Sequence, residues 1–294
     1  MASLKLSLTD LQRYQRCPAE FGFSRLAEKK EHELSKHLVT GIIVHRFIWG
    51  SYRLTKSGRY TKNVRVGGTA RQSWNDFYSE QIKRYPSLLK FEKEMRDKGA
   101  TCVLNYFKQN RSKDPPLEIE ARYWSHILGN VELYSSIDQI RGVDLRTIST
   151  IRPELIKYGQ LTPGYRDEVI VDLKTSKYSS KKKEWFGYPW PDLPDLQALL
   201  YVWLYHERKG KMPVGFYFYY LLDSKFRFVE VDKTHFRALE MLVKGAVTSL
   251  NTKMFDKKPT AIKCRNCAFR GPCQVEGKVP EPTRKFENQI GFDF

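Results

Sequence analysis

No stretch of this 294-residue sequence approaches the roughly 18 consecutive apolar residues of a membrane-spanning helix. No basic-then-apolar leader with a small-residue cleavage site opens it either. These absences predict a soluble, cytoplasmic protein with no membrane partner. Cysteine is scarce: only Cys17, Cys102, Cys264, Cys267 and Cys273 occur, too few and too clustered for a disulfide framework in a reducing compartment. Acidic residues are the minority charge, 33 against 51 Lys+Arg, for a formal net charge of +18. Such an excess favours a polyanionic partner, because neutralising phosphates releases condensed counterions. An anionic lipid surface is the competing reading of that charge. No internal repeat is present, and no phosphate-binding G-x4-G-K-[ST] loop marks a nucleotide-driven motor.

What is present is a foldable composition, 41% hydrophobic and 14% aromatic. Ser7 or Thr9 caps an early helix on which Leu8, Leu11 and Tyr14 recur at helical spacing. Leu38, Ile42, His45 and Trp49 recur at intervals of three and four and predict a second helix over 36–56. Residues 71–110 read as one or two further helices. After Pro115-Pro116 the pattern turns to period two. "LEIEARYWSHI" and "VELYSSIDQI" read as paired strands joined at Gly129-Asn130. "DEVIVDLKT" is a nearly continuous apolar run, as in the central strand of a covered sheet. "DLQALLYVWLYHERKG" predicts a helix, "VGFYFYYLL" and "FRFVEVD" a strand pair, and 233–253 a last helix. Residues 142–165 form a Pro- and Gly-punctuated insertion. The order predicts an α/β core with a helical N-terminal addition: a helical part over 1–115, a core over 116–253, and a cysteine region with tail over 254–294.

Asp138 and Asp172 each end an apolar β-type run, and adjacent strands can bring two such carboxylates to one hard cation such as Mg²⁺. Lys174, two residues beyond Asp172, shares its strand face and can hold the attacking water or neutralise charge developing on phosphorus. Alone, "DLK" reads more readily as a solvated ion pair at a strand end.

The order His45, Asp138, Asp172-Leu173-Lys174 and then Gln197 with Tyr201 resembles the RecB-like branch of the PD-(D/E)XK nuclease superfamily. The matching segments are "GIIVHRF", "YSSIDQI", "VDLKTSK" and "QALLY". The resemblance implies a restriction-endonuclease-like α/β core, a central mixed sheet flanked by helices, in a single nuclease domain over 1–294. It implies that His45, Asp138, Asp172 and the Leu173 backbone carbonyl hold Mg²⁺ or Mn²⁺, with Asp138, Asp172 and Lys174 catalytic. Gln197 and Tyr201 would steady the site or contact the DNA backbone. Two departures stand out: Ser135 replaces a glycine three residues before Asp138, and the 142–165 insertion lengthens the gap to Asp172. That gap leaves Asp144 as a backup ligand. Glu120 and Glu168 read as solvated strand residues, with an outer-shell role as the alternative.

Cys264-x2-Cys267-x5-Cys273 is a compact thiolate cluster without a neighbouring histidine, so Cys17 is its candidate fourth ligand. Spacing alone leaves zinc and an iron–sulfur cluster both open. The resemblance, here to AddB-type nuclease domains and CRISPR-associated four-cysteine exonucleases, implies a [4Fe–4S] cluster that staples the chain ends.

"SKYSSKKKEWFGYPWPDLPD" sets Lys181, Lys182 and Lys183 beside Trp185, a pattern suited to single-stranded DNA, although a solvated lysine run beside core aromatics reads equally well. By resemblance the chain is an exonuclease acting on single strands or DNA ends, with protein partners in CRISPR adaptation or in viral or mobile-element recombination. The competing class is a DNA-end-binding or complex-assembly module that keeps the fold and cluster and lacks cleavage.

Overall fold

The computed structural model describes residues 4–26, 35–54, 60–62, 68–110, 113–143, 167–178, 194–258, 261–265 and 267–273. Its elements are β1 (Leu4–Ser7), α1 (Leu8–Arg16), α2 (Pro18–Leu26), α3 (Lys36–Gly50), β2 (Tyr52–Leu54), β3 (Tyr60–Lys62), α4 (Gly68–Ile82) and α5 (Glu92–Gln109). There follow β4 (Glu118–Leu128), β5 (Val131–Val143), β6 (Asp167–Lys174), α6 (Leu196–Lys209), β7 (Gly215–Tyr220), β8 (Lys225–Val229), α7 (Phe236–Thr252), α8 (Ala261–Arg265) and α9 (Arg270–Cys273).

The main sheet runs β1-β5-β6-β7-β8, with β4 also paired to β5. The β1–β5 and β6–β7 pairs are parallel and the others antiparallel. This is the expected mixed sheet flanked by helices. Strand β6 lies between two neighbours, as its unbroken apolar run requires: a strand covered on both faces has no side to leave polar. One face carries Ile170, Phe216 and Phe218 packed on α1, α6 and α7; the other carries Val169, Val171, Tyr217 and Tyr219 packed on α3, α4 and α5.

Local chemistry sets the helix ends. The Ser7 hydroxyl accepts the Asp10 N–H while the Asp10 carboxylate accepts the Ser7 N–H, a capping box at the start of α1. Asp195 caps α6 by accepting the Gln197 N–H at 2.9 Å, and Gly210, at φ 69°, ends it. Helix α6 is buried from Leu196 through Tyr205 except at Gln197, whose partly exposed amide stands where it can serve a site.

Two expectations need correction. Helix α3 stops at Gly50, and the chain turns into β2 instead of continuing to 56. Its core stripe is Val39, Ile43, Val44, Phe47 and Ile48, whereas Leu38 and Trp49 are 50% and 52% exposed. The helix is apolar on both sides, and its periodicity alone does not say which stripe packs inward. Strand β1 had no sequence signal; its four residues form because β5 offers a free edge beside Leu133 and Tyr134.

Candidate active site

Strand β5 positions the site by where its partners leave it. On one edge it pairs with β1 over Val131–Tyr134 and with β6 from Gln139 to Val143. Between these ladders Ser135–Asp138 have no strand partner on that edge. The next pairing would set Asp138 opposite Asp172. Instead the Asp138 Oδ2 accepts the Leu173 N–H at 2.7 Å, so a side chain replaces the ladder and the strands part.

His45 reaches this opening from α3. Its Nδ1 is 3.3 Å from Glu120 Oε1 and 3.5 Å from Asp138 Oδ1, and its Nε2 is 3.1 Å from the Leu173 carbonyl oxygen. All three neighbours are acceptors, which suits an imidazolium donating from both nitrogens. Burial alone would lower its pKa, but the charge of Asp138 and the hydrogen bonds the ring donates to both carboxylates raise it well above the ordinary value. Asp138 is buried, which favours its neutral form. The imidazolium and the Leu173 N–H outweigh that and hold its carboxyl below the usual range.

Asp172, 2% exposed, faces α6. Its Oδ1 accepts from Gln197 Nε2 at 2.6 Å, and its Oδ2 is 2.8 Å from Lys174 Nζ. That ion pair is close but poorly directed, so Oδ2 stays buried without a hydrogen bond. Burial, with a contribution from the Asp138 charge, pushes Asp172 up to about 7 against the pull of Lys174. Lys174 also donates to Gln197 Oε1 at 2.7 Å and lies 5.0 Å from the centre of the Phe218 ring. Burial works against its charge, yet Asp172 holds its pKa above the ordinary lysine value. Gln197 therefore binds the carboxylate and the ammonium with opposite ends of one amide. Its Nε2 also donates to the buried Tyr201 hydroxyl at 3.1 Å. Tyr201 thus steadies Gln197 from inside.

Glu120 is the residue that the sequence reading undervalued. Among the described residues, His45, Glu120 and Asp138 form a group whose ligand atoms all lie within 4.8 Å of one another. Asp172 is outside this group, its charge met by Lys174. Glu120 has φ 48°, a left-handed backbone conformation within β4, and its Oε1 lies 3.3 Å from His45 Nδ1. The donor set fits a hard divalent cation: carboxylates of Glu120 and Asp138, the Leu173 carbonyl, and an imidazole that Mn²⁺ accepts more readily than Mg²⁺. The unsatisfied Asp172 Oδ2 beside them adds a further oxygen donor.

A second site lies where the chain ends meet. Ala19 N–H donates to Asp256 O at 3.1 Å, Phe255 packs on Gly22, and Phe23 stacks on Phe269 with ring centroids 5.8 Å apart. There Cys17, Cys264, Cys267 and Cys273 line one recess with Lys257, Lys258 and Lys263. Burial raises the Cys267 thiol to about 11. Among the described residues, the four sulfurs do not form a group as close as that of His45, Glu120 and Asp138. Lys181, Lys182, Lys183, Trp185 and Asp144 lie outside the described residues.

A split mixed sheet sets a carboxylate pair, a strand lysine and a helix histidine around one opening, the donor set of a metal-dependent hydrolase. The model of the PD-(D/E)XK nuclease superfamily matches residues 5–150 and 163–274, and the chain belongs to that superfamily. Membership implies nuclease chemistry with DNA as substrate, and nucleases of this superfamily use divalent metals. No curated protein matches the chain. Among the described residues no helix is long and apolar enough to cross a membrane.

Proposed function

We propose that the chain is a Mg²⁺- or Mn²⁺-dependent exodeoxyribonuclease of the RecB-like iron–sulfur branch, acting on single strands or DNA ends. The observation that carries the active site is the Gln197 amide spanning Asp172 and Lys174 while His45, Glu120 and Asp138 converge across the strand split. His45, Glu120, Asp138, Asp172 and the Leu173 carbonyl would hold the metal. A divalent cation held by these residues would supply an activated water and would offset phosphate charge. The protein's own contribution is electrostatic. Lys174 stays an ammonium, aimed by Asp172 and Gln197, and donates to the phosphate oxygen on which charge develops.

The four cysteines would hold a [4Fe–4S] cluster that ties α1–α2 to α8–α9 and makes residues 1–294 one nuclease domain. The convergence of the four cysteines in one recess ringed by Lys257, Lys258 and Lys263 supports an anionic thiolate-held cluster there. Its role is structural, since hydrolysis needs no electron carrier. CRISPR adaptation and viral or mobile-element recombination are the settings this branch implies, with protein partners to match.

The test uses end-labelled linear and circular single-stranded DNA with Mg²⁺ or Mn²⁺. Digestion of the linear form alone, lost in Asp172→Ala, is expected. A wild type with an intact cluster that leaves every end untouched overturns the reading in favour of a DNA-end-binding module. For the cluster, a colourless preparation made without oxygen and carrying stoichiometric zinc overturns the iron–sulfur assignment.

A further inference from the structure

The β4–β5 hairpin carries exposed aromatic side chains on the face that leads into the split. Trp124 pairs directly with Tyr134, Arg122 with Ser136, and His126 with Glu132. Directly opposed residues share a sheet face. The alternate set, with Tyr123, Leu133 and Ile137, packs into the core, so these rows face outward. Trp124 is 54% and Tyr134 42% exposed, where a solvated sheet face ordinarily carries polar side chains. The His126 ring meets Trp124 edge-on at 6.3 Å. The rows end at the acids: Ser136 Oγ donates to Glu120 Oε2 at 3.3 Å, and Glu120 is the next outward residue after Arg122. Four residues of strand separate Trp124 from Glu120, about 13 Å at a strand's rise per residue. Trp49, also exposed, lies one turn along α3 from His45, which places a further ring beside the same opening.

We propose that Trp124 and Tyr134 form a stacking platform for unpaired bases of the DNA strand whose phosphate is cut at the split. The proposal rests on the nuclease reading and gives it a residue basis for preferring single strands. Duplex bases present edges and phosphates, with their ring faces already stacked, so flat exposed rings reward a strand whose bases are free. Arg122, exposed between the platform and Glu120, supplies a cation for the phosphate that links the stacked base to the scissile position. Its charge offsets the acids there, which by themselves would repel a polyanion.

Binding is measured with a chelator present, so that no strand is cut, at fixed salt, by anisotropy of labelled oligonucleotides. A thymidine oligomer is compared with an abasic oligomer of equal length and charge. The wild type is expected to prefer the thymidine oligomer. Trp124→Ala and Tyr134→Ala are each expected to weaken its binding about 10-fold, with abasic binding unchanged and Trp124→Phe restoring most of the loss. In the cleavage assay these variants raise KM for single-stranded DNA and leave kcat intact. Equal wild-type affinity for the two oligomers, or an Ala pair that binds thymidine as tightly as wild type, overturns the platform. A pair that only stabilises the hairpin lowers the melting temperature without a base-dependent loss. Failure of the platform leaves metal-dependent cleavage and its dependence on Lys174 intact, whereas failure of the nuclease reading removes cleavage from the wild type itself.

Discussion

Asp138 and Asp172 stand on neighbouring strands at the point where those strands separate. The ladder ends at Gln139 and Val171, and the Asp138 carboxylate takes the Leu173 N–H at 2.7 Å that a strand partner would otherwise bind. The opening between two carboxylates is therefore made by one of them. His45 and Glu120 close it from one side, and Gln197 and Lys174 from the other.

Replacing Lys174 with Ala is expected to lower single-turnover cleavage about 100-fold or more, the usual loss when a directed transition-state donor is removed. Lys174→Arg recovers little, because the Gln197 Oε1 contact at 2.7 Å and the Phe218 ring fit an ammonium. Circular dichroism on both variants separates lost chemistry from lost folding.

Glu120→Gln is expected to raise the Mn²⁺ or Mg²⁺ concentration that half-activates the enzyme by about 10-fold. The removed charge belongs to the group gathered around His45 and Asp138. Metal titration of cleavage checks this, and an unchanged midpoint returns Glu120 to a solvated strand residue.

Gln197→Ala leaves Asp172 and Lys174 buried without the amide that binds both. A stability loss of about 1–3 kcal/mol is expected in urea unfolding, the cost of stranding buried polar groups. Cleavage falls with it, since Lys174 is no longer held in place.

Metal-free protein should lose stability as the pH rises. Burial lifts Asp172 from its ordinary 3.8 to about 7, so the folded state binds a proton that the unfolded chain has released. This contribution is complete below about pH 4 and declines until the pH passes about 7. Urea midpoints measured with a chelator across that range should fall in the wild type. Asp172→Asn, which does not titrate, should show a flatter profile.

Gly99→Ala is expected to destabilise the helical layer by about 1–3 kcal/mol, the range for overpacking. An added Cβ would lie 2.2 Å from Trp74 Cζ2, on a fully buried indole held by the Arg96 carbonyl. Thermal unfolding checks this, and cleavage per folded molecule should stay the same.

Chain order announced much of the site. Residues of the expected type stand at His45, Asp138, Asp172, Lys174 and Gln197, and the fold brings them together because each lies on an element with a strong periodic signal. Glu120 escaped notice for a definable reason. A two-residue turn at Gly129-Asn130 pairs Leu128 with Val131, and continuing that register would align Ala121 with Asp138. An irregularity between His126 and Leu128 shifts the pairing by one residue and puts Glu120 there instead. A one-residue slip exchanges the faces of a strand, and nothing local in "SHIL" announces it. The exposed pairing of Trp124 with Tyr134 depends on the same shift.

Sequence alone determined most element types, through periodicity and capping, and the order of residues that resembles the nuclease superfamily carried the mixed α/β architecture and the candidate site side chains. Only the tertiary structure decided which stripe of α3 faces the core, where β5 and β6 part, and that the amide of Gln197 binds both Asp172 and Lys174. Those outcomes depend on contacts between segments far apart in the chain, and the energies that select them are absent from any one segment.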